Sequence, residues 1–238
     1  KANGLPAGLS CVTIGRGSTI GEKLVNDHDV PLISATGSTR MGQRIGGIVG
    51  ARLGRSILEL VRNNAIITSD KADMKGALAS AFFGAVGTAG QRCTSTRRLI
   101  IHEKIYDTFI RKLKANYKNV NIGDPLDPKT LMGPLIDETA VADYEAAIKA
   151  AKEQGGKVLY GGKVMKPFGA ATFVLPTIIE IDNKKDIVQN ETFAPVLYVM
   201  KYKNFKQALK THNDVPQGLS SAVYTDSVAE GEAVLSSL

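Results

Sequence analysis

The 238-residue chain has no tryptophan, two cysteines, three histidines and only 6% aromatic residues. Each shortage excludes something. Two cysteines, Cys11 and Cys93, cannot build a disulfide framework, and with no secretory leader at the start they predict a reducing, cytoplasmic setting. So few aromatics leave no stacking platform for bases. The net charge of +7 from 30 basic and 23 acidic residues therefore points to an anionic ligand rather than to nucleic acid. The lysines are scattered, and Lys206 and Lys210 are spaced four apart as on a solvated helix face. The longest uncharged stretch, Gly76 to Gly90, falls short of the roughly 20 residues a membrane span needs. No cluster of His, Cys and carboxylates shows ligand spacing, so no metal site is expected. His28 lies between two aspartates and His102 ends an apolar run before a charged loop, so both read as surface histidines, against a Cys-His hydrolase.

What is present is the composition of a soluble globular protein, 43% hydrophobic and 22% charged, with length for one large or two small domains. Strand and helix patterns alternate, which predicts a sheet with helical crossovers. Ser10 to Ile14, Pro31 to Ala35, Arg55 to Glu59, Ala65 to Ile67 and Arg97 to His102 read as strands, as do Lys157 to Tyr160, Phe173 to Ile179 and Val196 to Tyr202. Thr19 to Val25, Thr39 to Val49, Lys75 to Thr88, Ile105 to Ala115, Asp137 to Gln154 and Phe205 to His212 read as helices, and a last strand and helix finish the chain. Gly155 and Gly156 fall where a left-handed cap ends a helix. The alanines and glycines of the 75–88 helix predict close packing.

Two glycine turns stand out. Gly15-Arg16-Gly17-Ser18-Thr19-Ile20-Gly21 resembles a dinucleotide fingerprint with one extra residue, and Thr36-Gly37-Ser38-Thr39-Arg40-Met41-Gly42 again joins strand to helix. Either is a tight turn or a phosphate cradle, and two in one α/β segment favour a nucleotide. Cys93 sits in Gly90-Gln91-Arg92-Cys93-Thr94, where an adjacent cation and a flexible glycine approach favour an accessible thiolate nucleophile. Cys11, beside Val12 and Ile14, reads as core. Glu59 ends the apolar run Ile57-Leu58-Glu59-Leu60, where desolvation would suit it to act as a base; the alternative is a solvent-facing strand residue.

Thr36-Gly37-Ser38-Thr39, Leu58-Glu59-Leu60, Gly90-Gln91-Arg92-Cys93-Thr94 and Glu191-Thr192-Phe193-Ala194-Pro195 resemble, in order, the motifs of the aldehyde dehydrogenase superfamily. The separation 93 − 59 = 34 between Glu59 and Cys93 is also similar to the family's. Asn63-Asn64-Ala65-Ile66 and the arginines Arg97-Arg98 after the cysteine motif resemble the antiquitin branch, the α-aminoadipic semialdehyde dehydrogenases.

The resemblance implies an α/β fold: the trailing part of a Rossmann-like NAD-binding domain at 1–60, and at 61–238 the catalytic domain without its C-terminal end. It implies NAD-dependent oxidation of an aldehyde, by preference an amino-acid semialdehyde, to the acid. Cys93 would be the nucleophile and Glu59 the general base. Thr36, Gly37, Ser38, Glu191 and Phe193 would hold the cofactor, and Arg92 a substrate carboxylate. A homo-oligomer is implied for the full-length form. The chain matches about the middle half of a usual subunit and opens on Lys1 rather than Met, as a processed product or a piece of something longer would. By the same resemblance, the oxyanion-hole Asn and the adenosine-contacting Lys fall outside it. Two departures bear on activity. Val61-Arg62 stands where the family has Gly-Gly and is expected to obstruct the nicotinamide pocket, and Ala35 stands where Phe is common. The alternative is an impaired or inactive relative or fragment with a structural or assembly role.

Overall fold

The computed structural model describes residues 4, 6–60, 63–165 and 172–236. Val61 and Arg62, and with them the expected obstruction, lie outside the described residues. The chain divides into two compact units, Lys1–Val61 and Arg62–Leu238.

In the first unit a π turn at Gly17–Gly21 runs into α1 (Glu22–Asn26), followed by β1 (Leu32–Gly37), α2 (Thr39–Ala51) and β2 (Arg55–Leu60). β1 and β2 pair in parallel, as a strand–helix–strand crossover requires, with Thr36 opposite Glu59 and Gly37 opposite Leu60. Val25, Ile33 and Val49 form a small core. Arg52 closes it from the C-terminal end of α2, donating to the carbonyls of Val25 (2.9 Å) and Val30 (2.6 Å). Residues 10–14 form no strand, and Cys11, Val12 and Ile14 are exposed, so the expectation that Cys11 is core is corrected. Among the described residues no strand pairs with this segment, and a strand requires a partner. The first glycine motif consequently follows no strand, and the dinucleotide-fingerprint reading of Gly15–Gly21 lapses.

The second unit holds β3 (Ala65–Thr68), α3 (Met74–Val86), β4 (Arg98–His102), α4 (Glu103–Lys118), α5 (Glu138–Glu153), β5 (Lys157–Tyr160) and β6 (Val164–Met165). β7 (Phe173–Val174), β8 (Thr177–Glu180), α6 (Asp186–Gln189), β9 (Val196–Tyr202), α7 (Phe205–Asn213), β10 (Ser221–Tyr224) and α8 (Val228–Leu235) complete it. Six strands lie in the order β10-β3-β4-β9-β8-β5, parallel throughout except for β5 against β8. β3 and β4 are buried along their whole length, the apolar run expected of parallel strands covered on both faces. α4 buries Tyr106, Phe109, Ile110, Leu113 and Tyr117 at helical spacing, and α5 starts at the cap Asp137, whose carboxylate accepts from Ala140 N–H at 2.8 Å. Just past the end of α5, Gly155 takes the left-handed φ of +89° that closes the helix.

Three further expectations are corrected. The predicted strand 173–179 is two strands, because Pro176 has no N–H for a ladder and Leu175 instead donates to Lys163 O at 2.8 Å. His102 is buried: its Nδ1 accepts from Lys104 N–H at 3.2 Å as the N-cap of α4, and its ring stands edge-on to Tyr202. The helix expected to reach Thr88 ends at Val86, for a reason that concerns the site.

Candidate active site

Parallel strands that neighbour one another bring their amino ends to one edge of the sheet. At that edge lie Asn63-Asn64 ahead of β3, the Cys93 segment ahead of β4, Glu191 to Pro195 ahead of β9, and Leu219-Ser220 ahead of β10. Ligands of open α/β sheets are usually sought at the opposite, carboxyl ends.

α3 reaches this edge as a close-packed helix. Ala77, Ala81 and Ala85 form its buried stripe, and Gly84 lies so near Thr96 that a Cβ would meet the threonine hydroxyl. Beyond Val86 the chain makes a tight turn, Gly87–Gly90, in which Thr88, Ala89 and Gly90 take φ of 57°, 52° and 67° in succession. Left-handed backbone costs a non-glycine residue about 1–2 kcal/mol, so neighbouring structure must impose it. Three groups do so. Gln91 donates to Pro134 O (3.2 Å) and accepts from Ile136 N–H (2.9 Å). Arg97 donates to Gly90 O at 2.7 Å. Gly90 itself lies flat against the backbone of Ala194 and Pro195, where no Cβ fits. The approach to Cys93 is thus pinned by packing and hydrogen bonds, not flexible as the glycine content had suggested.

Cys93 is exposed, and the peptides on both sides of it are held. The Arg92 carbonyl accepts from Ser95 N–H (3.1 Å) and from Arg97 Nη2 (3.3 Å), while Arg92 N–H donates to Ser95 Oγ (3.1 Å). The Cys93 carbonyl accepts from Asn64 Nδ2 at 2.7 Å. Asn64 is buried and uses its whole amide: Nδ2 also donates to Ser95 O (3.0 Å), and Oδ1 accepts from Leu219 N–H (3.1 Å) and Ser220 N–H (2.9 Å). Among the described residues no acceptor meets the Cys93 N–H. An exposed sulfur beside an unspent, fixed N–H is the arrangement a thiol nucleophile and its oxyanion require.

Arg97, just ahead of β4, and Arg98, its first residue, are both 1% exposed. Arg97 pairs with Glu191 at 3.3 Å, donates to Ala194 O at 3.2 Å, and lies 5.2 Å from the ring centroid of Phe193. Burial pushes its pKa down, and Glu191 opposes that shift. Arg98 donates to Asn63 O (3.0 Å), Asn183 Oδ1 (2.9 Å), Thr211 O (2.9 Å) and His212 O (2.9 Å), and burial lowers its pKa to about 10 against the pull of Asp214. Burial also raises the Tyr198 phenol to about 12, with the Thr192 hydroxyl and Arg97 opposing.

The structure brings four of the expected site residues to this edge: Arg92, Cys93, Glu191 and Phe193. Arg92 lies with its guanidinium 5.0 Å from the Phe83 ring centroid, and its Nε is buried with no hydrogen-bond partner among the described residues. Thr36, Gly37, Ser38 and Glu59 belong to the first unit, on and beside the β1–β2 pair. Ser38 caps α2, its Oγ accepting from Met41 N–H at 3.2 Å. Glu59 is exposed, so the expected desolvation is corrected: in the alternation at the end of β2, Leu58 and Leu60 are the half-buried residues and Glu59 faces the other way. Asn64, Arg97 and Arg98 were not singled out for a site role. Their signal was polar pairs directly ahead of apolar runs, Asn63-Asn64 before Ala65-Ile66-Ile67 and Arg97-Arg98 before Leu99-Ile100-Ile101.

These features define a largely parallel α/β protein with a thiol presented on a rigid loop at the amino edge of its sheet. The chain belongs to the aldehyde dehydrogenase family, whose model matches residues 1–238. It is 48% identical over 227 residues to aldehyde dehydrogenase family 7 member A1 of Brassica napus, covering 95% of this chain and 45% of that relative. It is 46% identical over 224 residues to α-aminoadipic semialdehyde dehydrogenase of Bos taurus, covering 94% and 41%. The chain therefore spans about half the length, or less, of these curated relatives. Betaine aldehyde dehydrogenase of Staphylococcus aureus, solved in complex with NAD+, superposes with a TM-score of 0.91 at 30% identity, covering 94% of this chain and 45% of that one.

Proposed function

We propose that this chain carries the nucleophile, the general base and part of the cofactor site for NAD-dependent oxidation of an amino-acid semialdehyde to its acid. The observation that carries the proposal is Cys93: an exposed thiol, flanked by two fixed peptides and beside an N–H with no acceptor among the described residues, in a chain of this family. The names of the relatives support the substrate class and the NAD complexes of the solved structures support the cofactor.

The residues present fit such a cofactor. α2 has 13 residues, no acidic side chain in its first turn, and an amino end entered through Gly37 and the exposed Ser38, which suits a phosphate. Glu191 would hold a ribose and Phe193 would pack near the nicotinamide. The first unit is then the trailing part of the NAD-binding domain and the second the catalytic domain. The Cys93 thiolate attacks the aldehyde carbon, forming an S–C bond and an oxyanion that the Cys93 N–H receives. When bound, NAD supplies the acceptor for the hydride that leaves this carbon. Glu59, exposed and therefore able to reach water, removes a proton from the water that attacks the resulting thioester; the S–C bond breaks, and acid and thiolate are released. Arg92 would swing from Phe83 to bind a substrate carboxylate, its Nε, which has no partner among the described residues, supplying a donor. A working thiol requires a reducing compartment, which favours the cytoplasm. The longer protein would form a homo-oligomer.

Incubating the chain with NAD and α-aminoadipic semialdehyde is expected to give NADH and the acid in equal amounts. Consumption of the aldehyde without NADH would overturn the proposal. Silence would support the impaired relative instead.

A further inference from the structure

Arg97 is buried, yet its guanidinium serves two separate segments. On one side it grips Gly90 O (2.7 Å) and Arg92 O (3.3 Å), ahead of Cys93; on the other it meets Glu191 Oε1 (3.3 Å) and Ala194 O (3.2 Å) and lies over Phe193. A guanidinium is a costly way to fill a core, because desolvating it takes back what its ion pair returns. Its value lies in the fork geometry, which spans several acceptors at once. The Arg92–Cys93 peptide is trans and planar, so its carbonyl and its N–H point in opposite directions. Holding the carbonyl aims the N–H.

We infer that Arg97 is a positioning residue: it directs the Cys93 N–H at the oxyanion site and holds Glu191 in register with the nucleophile loop, so that the two segments act as one rigid body. The inference rests on the proposed role of Cys93.

Two reagents separate this role from simple support of the fold. With 4-nitrophenyl acetate, the Cys93 thiolate forms an S–C bond to the acyl carbon through an oxyanion, and the bond to nitrophenolate breaks with the electron pair leaving on that group. With iodoacetamide, the S–C bond forms and iodide leaves with no oxyanion. The variants are Arg97→Lys, which keeps the charge without the fork, and the double variant Arg97→Met with Glu191→Gln, which leaves no buried carboxylate alone. In the double variant acylation is expected to slow about tenfold or more relative to alkylation, the scale set by oxyanion donors, with Arg97→Lys between it and the parent. Equal losses in both reactions, or no loss in either, would overturn the inference. A nitrophenolate burst that persists in Cys93→Ser would instead remove the role of Cys93 itself, and the inference with it.

Discussion

Gly90→Ala is expected to lower the melting temperature by about 6–12 °C. The residue takes φ of +67°, a cost of about 1 kcal/mol or more for alanine. Its new Cβ would also lie 2.5 Å from the Ala194 carbonyl carbon and 2.8 Å from Pro195 N. Those atoms are backbone and cannot rotate away, so the Glu191–Pro195 segment must be displaced, adding about 2 kcal/mol. The total of roughly 3 kcal/mol corresponds to that shift at about 2–4 °C per kcal/mol in a chain of this size. Gly155→Ala separates the two causes. Its φ is +89°, but nothing lies within 4 Å of its Cβ, so only the conformational cost applies and the shift should be about 2–4 °C. Equal shifts at the two positions, read by circular dichroism, would show that the contact between the nucleophile loop and Ala194-Pro195 contributes nothing.

Asn64→Ala is expected to destabilise by about 3 kcal/mol, since it strips hydrogen bonds from the Cys93 and Ser95 carbonyls and from the Leu219 and Ser220 amides together. Asn64→Asp is the sharper variant. It keeps an acceptor for the two amides but sets a carboxylate oxygen where the amide nitrogen stands, 2.7 Å and 3.0 Å from two carbonyl oxygens. Repulsion and burial of the charge should make it at least as damaging as alanine. Urea midpoints order the variants, and an Asn64→Asp protein as stable as the parent would mean that the donors to Cys93 O and Ser95 O are dispensable.

The sequence made the second unit more legible than its site. The apolar runs Ala65 to Ile67 and Val196 to Met200 matched buried strands, and the spaced Tyr106, Phe109, Ile110 and Leu113 matched the buried face of a helix. The strand expected at Ser10 to Ile14 misled, because local pattern carries no information about whether a partner strand exists. Cys93 was legible from its motif. Its supports were not: Asn64, Arg97 and Ala194 are joined by hydrogen bonds across 29 to 97 positions of sequence, distances over which no periodicity speaks. Glu59 shows the same gap. Its apolar neighbours suggested burial, while its place in the alternation at the end of β2 decided exposure.

The most direct test of Cys93 as nucleophile and Glu59 as base is mass spectrometry of Glu59→Gln after incubation with NAD and α-aminoadipic semialdehyde. Without the base the thioester should persist, and the predicted result is an acyl adduct on the peptide bearing Cys93, absent from Cys93→Ser. An adduct on Cys11, or none on Cys93 while NADH still forms, would contradict it.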